Sequence, residues 1–162
     1  RPTGEQVGRG RAPDRTRAPA ERAASHAELA DSAIVWSSLR ARRRASALGL
    51  ALPDVESTTK YDGSPVLKVR GSFMAGVATH RSAEPETLVV RAGFDEREWL
   101  MEDAPETYYL TDYYRSYPLV LVRLSRIDRD ALRDLLSVSW RMAAAKARRG
   151  RIGKLSKVRK DA

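Results

Sequence analysis

Apolar and polar positions change their period along this chain, and each change marks a structural boundary. Residues 1 to 28 contain one large aliphatic residue, Val7, and Pro2, Pro13 and Pro19 interrupt a background of Arg, Ala and Gly. Such a segment cannot bury enough apolar surface to offset its ordering entropy, so residues 1–30 are expected to be a disordered Arg/Ala/Pro-rich tail. From residue 31 to 52, Ile34, Ala41, Ala45, Leu48 and Leu52 fall on one stripe at about 100° per residue, which predicts a helix that Pro53 stops. Trp36 and Leu39 lie off that stripe, and Arg43 lies opposite it with Arg40 beside it.

Short β-type runs follow at residues 65–70, 73–78 and 87–91. Gly71-Ser72 reads as a hairpin turn between the first two, and a polar loop at 79–86 leads to the third. Asp95 with Glu98 three residues later resembles a capping box, predicting a short helix through Trp99, Leu100 and Met101 that ends before Pro105. Residues 108–111 and 119–124 read as two more strands, separated by Asp-Tyr-Tyr-Arg-Ser-Tyr-Pro at 112–118. Asp128 is placed to cap a last helix with Ala131, Leu135, Val138 and Met142 on one row and Leu132, Leu136 and Ala143 beside it. This order predicts an α+β domain over residues 31–146. It would be two-layered, an antiparallel sheet with the N- and C-terminal helices packed on one face, followed by a basic tail at 147–162.

The charge distribution changes the functional picture more than the net charge of +9 does. Residues 47–140 hold 11 Lys/Arg and 15 Asp/Glu, whereas the two flanks together hold 19 and 6. Basic clusters at Arg40, Arg42, Arg43 and Arg44 and from Lys146 to Lys160 can neutralise phosphates through counterion release. The competing reading is that they are solvated, solubilising tails. No stretch free of acids, bases and histidine exceeds nine residues, far below the roughly 18 needed to span a bilayer. No secretion signal is visible at the start, so no membrane role and a cytoplasmic location are expected. With no Cys and two His, the chain has no thiolate chemistry and little material for a metal site or a catalytic triad.

Leu-Ala-Leu-Pro-Asp-Val at 50–55, Lys-Val-Arg-Gly at 68–71, Leu-Val-Val-Arg at 88–91, and above all residues 105–118 followed by Val-Leu-Val-Arg-Leu at 120–124 together resemble the MmcQ/YjbR family. The resemblance implies small bacterial proteins with a CyaY-like (frataxin-like) α+β fold and a DNA-binding role exercised through a double-wing arrangement of loops. Two positions depart from the family pattern: Tyr113 stands where a His is usual, and Ser116 stands where a Gly is usual. Any proton-transfer or metal role of that His would be lost here. A frataxin-like fold raises the question of iron held on the first helix, but Arg40, Arg42, Arg43 and Arg44 occupy that helix and oppose it.

Candidate sites follow from these readings. Tyr113, Tyr114 and Arg115 in the aromatic loop can stack on bases or meet a phosphate, although strand alternation would send some of the neighbouring tyrosines, Tyr108 and Tyr109 first, into the core. Lys68 and Arg70, as alternate strand residues, would share one sheet face at one wing, with the 79–86 loop as the other. Together with Arg40, Arg43, Arg148, Arg149, Arg151, Lys154 and Lys157, these are the expected nucleic-acid contacts. No catalytic residue, metal or cofactor is expected. The carboxylate pairs Glu102/Asp103 and Asp128/Asp130 read as helix-end residues, and no phosphate-binding Gly-rich loop occurs. The leading expectation is thus a non-enzymatic DNA-binding protein of weak sequence preference. The alternative is a protein-interaction or small-ligand module using the exposed aromatic loop and Trp36 or Trp99.

Overall fold

The computed structural model describes residues 39–160, with side chains through residue 152. These fall in the second of two units, residues 37–162; the expected tail at 1–30 and residues 31–38 of the expected first helix lie outside the described residues.

Residues 39–50 form helix α1, which closes through a turn into strand β1, Val55–Thr59. Strands β2 (Pro65–Val69), β3 (Ser72–Val77) and β4 (Thr87–Arg91) follow, then helix α2 (Phe94–Asp103), the two-residue strand β5 (Tyr108–Tyr109) and a 3-10 turn at Asp112–Tyr114. Strand β6 (Leu119–Arg123) leads into helix α3, Arg129–Lys160. The sheet is antiparallel throughout, in the order β1-β2-β3-β4-β6-β5.

Strand alternation divides the sheet into two apolar faces. On one face Val69, Leu88, Val90, Val120 and Val122 join Ala45 of α1 and Leu132, Leu135, Leu136 and Ala143 of α3 in the main core. The predicted stripe of α1 is thus the buried one, and both terminal helices cover the same face. Two bonds from adjacent residues anchor α3 about a third of the way along it: Ser139 Oγ donates to Met74 O (2.8 Å) and Trp140 Nε1 donates to Pro53 O (2.8 Å). Asp128 caps the helix as its position predicts, accepting from Ala131 N at 2.8 Å. On the opposite face Val89, Leu121 and Tyr114 form a second, smaller cluster with Phe73 and Leu119 around it.

Three local expectations are corrected. β1 was not legible as a strand, because Val-Glu-Ser-Thr-Thr has one large apolar residue and sits at the sheet edge, where its pairing with β2 defines it. The hairpin turn is Arg70-Gly71 rather than Gly71-Ser72: both residues have positive φ, 49° and 79°, the pattern a two-residue hairpin needs. The cap of helix α2 is Gly93, two residues before the predicted Asp95, and the helix starts at Phe94, so Asp95 and Glu96 lie in its first turn, where they favour the helix dipole.

The segment 147–160 continues α3 as helix. At 1.5 Å per residue the 32-residue helix is about 48 Å long, and from Ala144 to Ile152 none of its side chains is fully buried.

Candidate functional site

The β2–β3 turn and the outer part of α3 meet to form a basic groove. Arg70 is left-handed and its guanidinium is held by Asp54, with Nε at 3.1 Å and Nη2 at 2.5 Å from Oδ2. Facing the turn, α3 loses its apolar stripe after Ala143 and presents exposed Lys146, Arg148 and Arg151. These three cations and Arg70 line an open groove of about 600 Å³, with Gly71, Ala147 and Gly150 keeping its walls low. Glycine and alanine leave backbone approachable, so an extended anion can reach several cations at once. Hydrated Lys and Arg at such a surface offer phosphate contacts rather than a reaction centre.

The other expected contacts are placed differently. Lys68 and Arg70 do not share a sheet face, because Arg70 belongs to the turn and Lys68 pairs with Phe73 across the hairpin. Arg40 and Arg43 are exposed on α1 and do not line the groove, nor does exposed Arg149. Lys154 and Lys157 lie on the backbone of α3, with side chains outside the described residues.

The aromatic loop is more structural than its composition suggests. Tyr113 stacks on His80 with ring centroids 3.6 Å apart, and Tyr114 meets Tyr113 edge-on at 4.9 Å. Tyr114 is only 7% exposed, and burial pushes its hydroxyl above the usual tyrosine range. It therefore has no free face for a base, in contrast to the expectation that placed it among the contacts. Tyr113 and Tyr117 remain about half exposed, and Arg115 is exposed but paired with Asp112 at 2.7 Å. Buried Arg97 fixes this loop from below, donating through Nη1 to Arg115 O (3.0 Å) and Tyr117 O (2.9 Å).

The 79–86 loop is also tied down, so it is not a free wing. Ser82 Oγ and Thr111 Oγ1 are 2.9 Å apart, and Glu84 N donates to Tyr109 Oη at 2.8 Å. Arg123 grips both Glu84 oxygens at 2.6 Å, donates to Pro105 O and Glu106 O, and lies 4.2 Å from the Tyr109 ring centroid. The Arg123 hydrogen bonds hold the Glu84 carboxyl below its usual range. A lowered native pKa adds stability above the unfolded-state carboxylate pKa and loses it as pH falls through the native value. Arg123→Gln is therefore expected to cost about 1 kcal/mol at pH 7, because the Glu84 carboxylate is half exposed and solvent screens the pair. Urea unfolding at pH 7 and pH 3 tests this; an equal loss at both pH values would show that the Glu84 pair is not its source.

Sequence reasoning missed Arg91, a second buried arginine on β4, 8% exposed. A basic residue in the last position of a Leu-Val-Val-Arg strand is usually a surface one, and only the loop folded over that face buries it. Among the described residues, no group of three or more His, Cys, Asp or Glu is placed to hold a metal ion, and no helix is long and apolar enough to cross a membrane.

Comparison with known proteins brings in one family. The YjbR family model matches residues 50–142, covering the whole sheet, α2 and α3 through Met142. Over 47 residues the chain is 40% identical to Uncharacterized protein Rv2570 of Mycobacterium tuberculosis (strain ATCC 25618 / H37Rv) and to Uncharacterized protein Mb2600 of Mycobacterium bovis. That stretch is 29% of this chain and 36% of each relative, so the similarity spans about a third of the curated relatives' length. No solved structure matches.

Proposed function

The chain belongs to the YjbR family, and from that premise we propose that it is a non-enzymatic, cytoplasmic DNA-binding protein that holds the phosphate backbone between the β2–β3 turn and α3. The observation that carries this reading is the convergence of Arg70, Lys146, Arg148 and Arg151 on one open groove. Cations spaced along a helix can meet successive phosphates without any ordering of the backbone that carries them. Weak sequence preference follows, because contacts to phosphate position a protein without reading bases. The acidic excess of residues 47–140 works against a site centred on the body and favours the outer part of α3. Arg70 lies inside the matched region and the three groove cations of α3 lie beyond residue 142, so the proposed contact joins residues inside and outside it.

Fluorescence anisotropy of a labelled duplex across a range of salt tests the proposal. For duplex DNA, log K falls with log salt by roughly 0.9 per neutralised phosphate. Arg148→Ala combined with Arg151→Ala should lower affinity at least tenfold at low salt and reduce the slope by about two. Unchanged affinity and slope in that variant would sink the groove model. A flat salt dependence for the intact chain would instead favour a protein partner at Tyr113, Tyr117 and Trp99, all more than half exposed.

A further inference from the structure

Two arginines are buried among the described residues, and they are satisfied very differently. Arg97 donates to two carbonyls, pairs with Glu98 at 3.3 Å and lies 4.7 Å from the Phe94 ring centroid. Among the described residues Arg91 makes one protein bond, Nε to Phe73 O at 2.7 Å, and no carboxylate pairs with it. Burial depresses its pKa, the sign of a cation whose charge is not compensated nearby. Its Nη groups are not among the fully buried nitrogens that lack a partner, so they face accessible space, where an anion from outside the chain can reach them.

The surroundings of Arg91 indicate what that is. It lines a groove of about 310 Å³ on the sheet face opposite α1 and α3, where Phe73 and Val89 give an apolar floor and Tyr114 and Tyr117 an aromatic wall. Two more cations stand along the groove, Lys60 and Lys146, and Lys60 Nζ is already bonded to Val77 O at 3.1 Å. The volume is at the lower end of small-molecule sites, enough for one ring and a charged head. An apolar floor penalises a dianion such as phosphate more than a monoanion, and a guanidinium matches a carboxylate bidentately.

We propose that this groove is a binding site for a small carboxylate with an apolar, ring-sized body, its head on Arg91 and its ring between the sheet floor and Tyr117. The site is separate from the basic groove except for Lys146, which lines both, and it does not depend on DNA binding.

The test is an NMR titration of the intact chain with phenylacetate. Phenethylamine, with the same body and the opposite charge, and inorganic phosphate, a head without a body, serve as comparisons. Phenylacetate is expected to give saturable amide shifts centred on Phe73, Val89 and Leu119, and the two comparison compounds none there. Arg91→Gln should weaken binding by about tenfold to a hundredfold, the range for losing a charged hydrogen-bonded partner. Should that variant fail to fold, Tyr117→Glu, which sets a carboxylate at the groove mouth, should weaken phenylacetate at least tenfold, while Arg148→Ala leaves it unchanged. Equal binding of phenethylamine, shifts centred elsewhere, or full affinity in a folded Arg91→Gln or in Tyr117→Glu would overturn the proposal.

Discussion

Leu136→Ala is expected to lower the unfolding free energy by about 3 kcal/mol, within the roughly 2–5 kcal/mol seen for leucine truncation in cores. Leu136 is fully buried, one helical turn from fully buried Leu132 and close to Ser139 and Ala143 on the same stripe of α3. The cost depends on whether the helix can settle into the cavity. Here it is held, because Ser139 Oγ is bonded to Met74 O and Trp140 Nε1 to Pro53 O, which fix both the depth and the register of α3. A cavity that cannot collapse keeps its full penalty, so the loss should not fall to the lower end of the range. Urea unfolding of the variant beside Leu50→Ala, at a position 46% exposed, checks the prediction. The exposed substitution should stay within about 0.5 kcal/mol; a Leu136→Ala loss below about 1 kcal/mol would mean that α3 is not anchored as described.

The same anchoring explains which parts of the fold were legible. The stripes of α1 and α3 could be read because Ala41, Ala45 and Leu48 of the first and Ala131, Leu132, Leu135, Leu136 and Ala143 of the second do pack in the main core, whereas Val138 and Met142 of the expected row stay outside it. β4 and β6 were legible because they are central and buried. β1 was not, since an edge strand with exposed Glu56, Ser57 and Thr59 takes its conformation from β2 rather than from its own pattern. Nor could the turn at Arg70-Gly71 be placed to the residue, because Gly71 fits either of two adjacent turns and only the β2–β3 register decides between them.

The candidate site was legible as chemistry but not as geometry. Composition identified the basic cluster from Lys146 onward, yet that Arg70 would join Lys146, Arg148 and Arg151 depends on where a long helix passes a hairpin turn. Arg40 and Arg43 carry the same charge and lie on a helix of the same core, but they stand apart from that groove. Arg91 was hidden for a related reason: its burial is created by segments distant in sequence, the 110–118 connection above all, and no local pattern announces it.

Tyr114→Ala is expected to lose about 3 kcal/mol or more of stability, whereas Tyr113→Ala should lose about 1 kcal/mol, the worth of an exposed aromatic stack. The two residues are neighbours in a motif that invites a single role, and the structure divides them. Tyr114 fills the centre of the second apolar cluster, against Val89 and Leu121, while Tyr113 lies over His80 at the surface. Removing Tyr114 opens a void under the 110–118 segment and frees the loop that Arg97 ties to α2. Removing Tyr113 exposes one imidazole face. Tyr114→Phe keeps the ring and should stay within about 1 kcal/mol of the parent, because the ring supplies most of the burial. Urea unfolding of the three variants, with duplex anisotropy measured on each under conditions where it is folded, separates core from contact. Were Tyr114 a stacking contact, Tyr114→Ala would lose DNA affinity at unchanged stability. A loss of stability with affinity intact in Tyr114→Phe assigns the residue to the floor of the aromatic loop and leaves Tyr113 and Tyr117 as its outward-facing rings.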